Sequence, residues 1–152
     1  MATILIVEDD QDTREIMARY LTLAGYEHVS ASNGWEALLA VDQNEVDLIL
    51  LDVMMPGMDG VTFLNILRNA QTKRNTPVVI VTAMSRQELS NRFRDLPVQA
   101  ILPKTQELFD ELMQTVKKIL PDPGAKRSPE GAAMAPKNRL ERFMSEQDQP
   151  EA

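Results

Sequence analysis

Residues 48–60 read LILLDVMMPGMDG. The first four are large and apolar without alternation, a pattern typical of a central strand that is buried on both faces of a parallel sheet. The carboxylate of Asp52 follows directly, and then comes a loop with one proline and two glycines, in which Asp59 can cap the next helix. The stretch predicts a buried strand that presents Asp52 at the edge where open α/β folds bind ligands.

Short apolar runs alternate with segments of helical periodicity throughout residues 2–120. This alternation predicts βαβ units and a parallel sheet with helices on both faces. We expect an α/β fold, a doubly wound (βα)5 domain with a five-stranded parallel sheet, because right-handed crossovers leave few other topologies. The expected strands are residues 3–7, 26–31, 47–51, 77–81 and 98–102, and the expected helices are residues 11–24, 60–70, 86–94 and 106–120, with one more helix capped by Ser32 or Asn33.

The first two helices carry apolar residues at helical spacing. Gly25 is expected to end the first helix in a left-handed conformation. In the second helix we expect Trp35 to be partly buried; a surface-facing Trp35 would instead indicate a partner contact. The residues expected on the buried faces are Ile16, Met17, Tyr20, Leu21 and Leu23 in the first helix and Trp35, Leu38, Leu39 and Val41 in the second.

Composition narrows the class of protein. The absence of cysteine excludes disulfides and thiolate metal sites. The formal net charge is −7, most of it within residues 1–120, which argues against direct nucleic-acid binding by that part. No run approaches the roughly 18 apolar residues of a membrane span, and the N-terminus has no signal-peptide pattern. We expect a cytoplasmic protein without a membrane segment.

The composition changes after residue 120. Residues 121–152 hold five of the nine prolines, together with small and charged residues, so we expect a single domain at residues 1–120 and a Pro-rich, mostly disordered tail. Three apolar residues within residues 137–146 fall at helical spacing. They indicate either a transient helix or a short docking helix for a partner.

Four of the expected strands lead into polar or charged side chains. Because the carboxyl ends of parallel strands meet at one edge, these side chains should lie close together. Three carboxylates in such proximity need a cation, and Mg²⁺ is the ion that accepts a few carboxylates together with water and phosphate. The residues are Glu8, Asp9 and Asp10 after the first strand, Asp52 after the third, Thr82 after the fourth and Lys104 after the fifth.

These side chains have different expected roles. Asp9 and Asp52 are the expected direct ligands of Mg²⁺, whereas Glu8 is expected to act through water. Asp10 is expected to cap the following helix. Lys104 can pair with Asp52 at rest and with a phosphoryl oxygen later.

Phosphoryl transfer to a carboxylate is the reaction that suits this set of groups. Asp52 can attack phosphorus in line and form an aspartyl phosphate. Mg²⁺, Lys104 and the Thr82 hydroxyl can then neutralise the phosphoryl oxygens, and the small Ala83 leaves room for the ligand. The chain has no glycine-rich nucleotide motif and no Ser-centred triad. An acyl phosphate is labile, which suits a timed signal.

The chain resembles the receiver domain of two-component response regulators, which has a flavodoxin-like fold. The resemblance covers about residues 1–120, and Thr82 and Lys104 lie at the family's spacing from Asp52. The motifs that carry it are ILIVEDD at residues 4–10, the highly specific LLDVMMPGMDG at residues 50–60, PVVIVTA at residues 77–83, and Lys104.

The resemblance implies partners as well as residue roles. The phosphodonor would be a phosphohistidine on a sensor histidine kinase or a histidine phosphotransfer protein. The signal would pass through the face of the fourth helix, fifth strand and fifth helix. This face would bind a downstream protein target or form a homodimer. The implied roles are Asp52 as phosphoacceptor, Glu8, Asp9, Asp52 and the Met54 carbonyl as Mg²⁺ ligands, and Thr82, Ala83 and Lys104 as switch and phosphoryl contacts.

Two positions depart from the family pattern. The family usually has Tyr or Phe three residues before the lysine, whereas this chain has Ile101, which can repack but cannot move a hydroxyl between solvent and core. The family usually has Pro after the lysine, whereas this chain has Thr105. Because a non-proline cis bond costs about 2.5–4 kcal/mol, we predict a trans Lys104–Thr105 bond and a slightly shifted start of the last helix.

Two methionines also follow the expected site residues. Met54 and Met84 come two residues after Asp52 and Thr82, at positions that can flank a phosphoryl group. They either exclude attacking water or only pack at the rim of the site.

The sequence favours one function and leaves another open. The favoured function is a stand-alone phosphoacceptor module of a two-component or phosphorelay system, which is no enzyme beyond its own phosphorylation and dephosphorylation. An aspartate-nucleophile phosphatase would need a second acid two residues after Asp52, where the chain has Met54. Ile101 and Thr105 keep open a receiver-like docking module that works without phosphate.

Overall fold

The computed structural model describes residues 2–55, 57–70, 75–92 and 98–120. Strands and helices alternate through these residues, as the sequence predicts. The expected end of the fourth helix at residues 93–94 and the expected tail at residues 121–152 lie outside the described residues. The elements are β1 (Thr3–Val7), α1 (Gln11–Leu23), β2 (Glu27–Ala31), α2 (Gly34–Gln43), β3 (Leu48–Leu51), α3 (Gly60–Asn69), β4 (Val78–Thr82), α4 (Arg86–Arg92), β5 (Ala100–Pro103) and α5 (Leu108–Ile119).

The five strands form one sheet in the order β2-β1-β3-β4-β5, and every pairing is parallel. The order in which strands are added reverses between β1 and β3, because β2 lies on one side of β1 and the later strands lie on the other. In doubly wound sheets, ligands bind at the carboxyl ends of the strands beside such a reversal. The predicted (βα)5 architecture is confirmed, and the acidic run after β1 and Asp52 after β3 lie on the two sides of this switch point.

The core consists of two apolar layers, one on each face of the sheet. In β1, Leu5 and Val7 point into the layer under α2 and α3, whereas Ile4 and Ile6 point into the layer under α1 and α5. Every residue of β3 and β4 is buried. The apolar residues of these two central strands do not alternate with exposed ones, because helices cover both of their faces.

The predicted buried face of α1 is too wide. Only Met17 and Leu21, one turn apart, are buried in this helix. Ile16, Tyr20 and Leu23 are 42%, 41% and 80% exposed. The two buried residues belong to the layer under α1 and α5, against which the small Ala18 also packs. Gly25 has a φ of 94°, so the predicted left-handed position after the helix is confirmed.

The prediction of a partly buried Trp35 is wrong, because its side chain is 68% exposed. The buried face of α2 consists of smaller residues, which let the helix lie close to its neighbours. At its first residue, Gly34, an added Cβ would lie 2.7 Å from the sulfur of Met58. Leu39 is likewise exposed, so α2 presents two large apolar side chains one turn apart to solvent.

The last helix begins at Leu108, later than the expected start at residue 106. Thr105 does not cap it directly; its hydroxyl accepts a hydrogen bond from the backbone N–H of Glu107 at 3.3 Å. No cis peptide bond occurs among the described residues, so the Lys104–Thr105 bond is trans as predicted. None of the helices in the described ranges is long and apolar enough to span a membrane.

Candidate phosphoacceptor site

Backbone hydrogen bonds hold the residues of the site at the carboxyl edge of the sheet. The N–H of Asp52 donates to the carbonyl of Val7 at 3.0 Å, which continues the β1–β3 pairing past the end of β3. The N–H of Lys104 donates to the carbonyl of Thr82 at 2.8 Å and continues the β4–β5 pairing. The two site residues therefore leave the sheet in fixed directions, as extensions of their ladders.

The loop after β3 folds back so that α3 starts against the backbone of Asp52. A Cβ added at Gly60 would lie 2.5 Å from the Cα of Val53 and 2.6 Å from the carbonyl oxygen of Asp52. Only glycine permits this close approach. Asp59 caps the helix as predicted, because its side chain accepts the N–H of Thr62 at 2.8 Å.

Three carboxylates converge at this edge. One oxygen from each of Glu8, Asp9 and Asp52 lies within 4.8 Å of the others. Glu8 and Asp52 are buried and Asp9 is exposed, so the cluster opens to solvent on the Asp9 side. Oxygen ligands with one face toward water fit Mg²⁺, which keeps several waters when it binds protein. The second oxygen of Asp52, Oδ1, accepts the backbone N–H of Met54 at 3.0 Å.

The lysine ammonium bridges two members of the acidic cluster. Nζ of Lys104 lies 2.7 Å from Oε1 of Glu8 and 3.2 Å from Oδ2 of Asp52. Burial raises the pKa of Glu8, although the hydrogen bonds from Lys104 and from the backbone of Asp10 oppose this rise. Burial lowers the pKa of Lys104, but its bond to Glu8 and the charge of Asp52 outweigh that effect and raise it above its usual value.

Thr82 ends β4, the strand next to β3, and is fully buried. Its hydroxyl oxygen accepts the backbone N–H of Met84 at 3.1 Å, while Ala83 between them is exposed. The side chain of Met84 is buried in the layer under α2 and α3, whereas that of Met54 is 54% exposed. Of the two methionines, only Met54 therefore lies at the surface beside the cluster.

The two departures from the family pattern lie on β5 and just beyond it. Ile101 is half-buried and packs against the layer under α2 and α3. Its backbone is opposite Ile80 in the parallel ladder. Thr105 is exposed and follows Lys104 directly. Neither residue belongs to the acidic cluster, so the departures leave the set of charged groups intact.

One acidic residue of the run after β1 stays outside the cluster. Asp10 caps α1, as predicted, by accepting the N–H of Thr13 at 2.9 Å and its hydroxyl at 2.6 Å. These hydrogen bonds hold the pKa of Asp10 below its usual value. Arg14 is not among the predicted site residues, yet its Nη1 donates to the carbonyl of Glu8 at 2.7 Å. The available signal was an arginine in the first turn after an acidic run.

Comparison with known proteins agrees with this fold. A family model described as a response regulator receiver domain matches residues 4–117. Response regulator MprA of Mycolicibacterium vanbaalenii is 35% identical over 130 residues, which cover 82% of this chain and 54% of that protein. Sporulation initiation phosphotransferase F of Bacillus subtilis is 34% identical over 118 residues, which cover 78% of this chain and 93% of that protein.

A solved structure gives the same result. Response regulator protein TrrA of Thermotoga maritima, crystallised in complex with Mg²⁺-BeF, superposes with a TM-score of 0.70 at 32% identity and covers 79% of this chain and 100% of that chain. The chain therefore belongs to the family of response regulator receiver domains. It is a phosphoacceptor signalling module of the two-component type. The chain spans about half the length of MprA.

Proposed function

We propose that Asp52 is the residue that accepts the phosphoryl group. The observation that carries this assignment is the position of its buried carboxylate, which directly follows β3 at the switch point and lies 3.2 Å from the ammonium of Lys104. Lys104 supplies positive charge where a phosphoryl oxygen would arrive. Glu8 lies even closer to this ammonium, at 2.7 Å, and Asp9 is exposed at the rim. The choice of Asp52 among the three acids is therefore supported by its place in the receiver-like motif of residues 50–60.

The acidic cluster would hold Mg²⁺ through Asp9 and Asp52, with Glu8 acting through water and the carbonyl of Met54 as a further ligand. When bound, the ion neutralises negative charge on the carboxylates and on the phosphoryl oxygens. The fit rests on an all-oxygen donor set within 4.8 Å that is open to solvent on one side. Lys104 remains close enough to both buried acids to limit their repulsion before the ion arrives.

The transfer itself is an in-line displacement. A carboxylate oxygen of Asp52 forms a bond to phosphorus as the phosphorus–nitrogen bond of a phosphohistidine breaks, and the electron pair of that bond stays on the imidazole. Lys104 then pairs with a phosphoryl oxygen. The Thr82 hydroxyl donates a hydrogen bond to the phosphoryl group, and its oxygen either keeps or loses the hydrogen bond that it accepts from the N–H of Met84. Ala83 leaves room for the ligand at the exposed side.

The partners follow from this chemistry. The donor is a sensor histidine kinase or a histidine phosphotransfer protein, and the output is a downstream protein target or a homodimer formed through α4, β5 and α5. The acidic charge disfavours direct contact of residues 1–120 with nucleic acid. We place the module in the cytoplasm, with residues 121–152 as a tail outside the domain, and without catalytic turnover beyond its own phosphorylation and dephosphorylation.

Intact-mass spectrometry tests the assignment. The protein is incubated with acetyl phosphate in Mg²⁺ and, separately, in EDTA, as wild type, Asp52→Asn and Asp59→Asn. Asp59 is the matched control, because it lies in the same loop, and asparagine retains its capping function. We expect one labile phosphoryl group on the wild type and on Asp59→Asn in Mg²⁺, and none on Asp52→Asn or in EDTA.

Two other outcomes would contradict the assignment of Asp52. A phosphoryl group that persists on Asp52→Asn would move the acceptor to another residue. A wild type that gains no phosphoryl group from acetyl phosphate or from a phosphohistidine protein would favour the phosphate-independent docking module that Ile101 and Thr105 keep open.

A further inference from the structure

Arg14, in the first turns of α1, reaches back to the loop that carries the acidic residues. Its Nη1 donates a hydrogen bond to the carbonyl oxygen of Glu8 at 2.7 Å and lies 3.5 Å from the carbonyl oxygen of Asp9. Helical side chains point toward the N-terminus of their helix, so this direction needs no unusual geometry. The start of the helix is itself fixed, because the N–H of Arg14 donates to the carbonyl of Asp10 at 3.0 Å.

The peptide unit between Glu8 and Asp9 is therefore held on its oxygen by Arg14. The residue before this peptide is anchored as well, since the N–H of Glu8 donates to the carbonyl of Ala31 at 3.0 Å. After it, the N–H of Asp10 donates to Oε2 of Glu8 at 3.1 Å. In contrast, no hydrogen bond reaches the carboxylate of Asp9 within the described part of the chain. The direction of that carboxylate depends on the backbone that Arg14 holds.

Arg14 exerts two opposite influences on a cation at the cluster. Its positive charge repels the cation, so loss of this charge alone would strengthen cation binding. Its hydrogen bonds hold the backbone of two predicted ligands, so that removal weakens binding by loosening them. The donors are directed at carbonyl oxygens rather than at carboxylates, so the charge does not occupy the ligand atoms. The sign of the effect therefore separates the two influences.

We propose that Arg14 is a positioning residue for the Mg²⁺ site, which orients Asp9 by holding the Glu8–Asp9 peptide. This inference rests on the proposed function, because it assumes that the cluster binds Mg²⁺.

Calorimetric titration with Mg²⁺ alone tests it on the full chain. Arg14→Met keeps the apolar stem and a good helix former but has no donor. We expect Arg14→Met to bind Mg²⁺ about ten-fold more weakly than the wild type, in the range found when a group that orients a metal ligand is removed. Arg19→Met is the matched control, since Arg19 is exposed on the same helix; it should bind as the wild type does. Circular dichroism checks that each variant is folded.

The outcomes separate this inference from the proposed function. A wild type that does not bind Mg²⁺ would remove the proposed site itself. If the wild type binds and Asp9→Asn does not, but folded Arg14→Met binds as well as the wild type or more tightly, the positioning role is wrong and the site stands. If Arg14→Met does not fold, Arg14→Gln is judged by the same criterion, because its amide ends two bonds short of the position of Nη1.

Discussion

The Lys104 ammonium lies closer to Glu8 than to Asp52, at 2.7 Å against 3.2 Å. The sequence predicts Lys104 and Asp52 as the resting pair, and the structure adds the buried Glu8 as the nearer partner. The side chain of Glu8 is 1% exposed, so its charge depends on this neighbour. Lys104 is thus a counter-ion for two buried carboxylates before any phosphoryl group arrives, and the same ammonium is available to a phosphoryl oxygen afterwards.

Removal of the Lys104 ammonium should destabilise the fold. Lys104→Met leaves Glu8 and Asp52 buried without their cation, and we expect the free energy of unfolding in EDTA to fall by about 2 kcal/mol. The loss is smaller than for a fully buried pair because 22% of the Lys104 side chain is exposed. Mg²⁺ should restore part of the loss. Urea unfolding with and without Mg²⁺ measures both effects.

Lys117→Met is the control for this experiment. Lys117 is exposed in the last turn of α5 and carries the same charge. Its replacement should change the free energy of unfolding by less than about 0.5 kcal/mol. Equal stabilities of the two variants would contradict the role of Lys104 as counter-ion.

Gly57, in the loop after β3, and Gly60, the first residue of α3, should differ in their sensitivity to alanine. Gly60→Ala places a Cβ 2.5 Å from the backbone of Val53, so the backbone beside Asp52 must move, and we expect a loss of about 3 kcal/mol. Gly57 has a φ of 75° but open space around it, so Gly57→Ala should cost only about 1 kcal/mol. Chemical denaturation compares them. A larger loss at Gly57 would contradict the contact-based argument.

Met54 should slow the loss of a phosphoryl group from Asp52. Its N–H donates to Oδ1 of Asp52 and its side chain is 54% exposed, so we expect this apolar side chain to keep water from the phosphoryl group. We expect Met54→Asn, which can orient a water, to speed dephosphorylation at least about two-fold, well below the effect of a positioned general base. Met54→Leu, which stays apolar, should not. Timed mass spectrometry gives both rates, and equal rates would reduce Met54 to rim packing.

The Asp10 cap should make the stability of α1 depend on pH. Hydrogen bonds to Thr13 hold the pKa of Asp10 below its usual value of 3.8. A carboxyl with a lowered pKa in the folded state contributes stability above its unfolded pKa and loses it as the pH falls through the folded one. The stability difference between wild type and Asp10→Ala should therefore be complete well above the usual pKa of 3.8 and shrink as the pH falls below it.

Asp10→Asn serves as the reference for that titration, because an amide oxygen still caps the helix but does not titrate. Its stability relative to Asp10→Ala should stay constant over the same pH range. Urea unfolding at several pH values measures the three proteins. A difference between wild type and Asp10→Ala that does not change on acidification would show that the cap does not depend on the charge of Asp10.

The order of the helices and strands could be predicted from the sequence, whereas the width of their buried faces could not. Apolar runs and caps such as Asp10, Asn33 and Asp59 mark where elements begin, and all three residues cap helices in the structure. Helical spacing alone does not reveal which part of an apolar stripe faces the sheet. Tyr20, for example, stacks on Phe109 of α5 with ring centroids 4.7 Å apart and remains 41% exposed.

The members of the site could also be predicted, because each follows an apolar run that becomes a strand. Parallel strands bring their carboxyl ends to one edge, so Asp9, Asp52, Thr82 and Lys104 were certain to share that edge once the fold was known. Their individual contacts were not, since a side chain at an edge can turn to several neighbours. The contact of Arg14 with the loop after β1 was not predicted, because an arginine in the first turn of a helix usually faces solvent.

By itself, the sequence determined the (βα)5 order and the chemical groups at the carboxyl edge, because both depend on local pattern and on the direction of parallel strands. Only the tertiary structure decided that Lys104 pairs most closely with Glu8, that Gly60 lies against the backbone of Asp52, and that Arg14 holds the Glu8 carbonyl. These contacts join groups whose distances are set by how the helices pack on the sheet, and differences of less than an ångström decide between alternative partners.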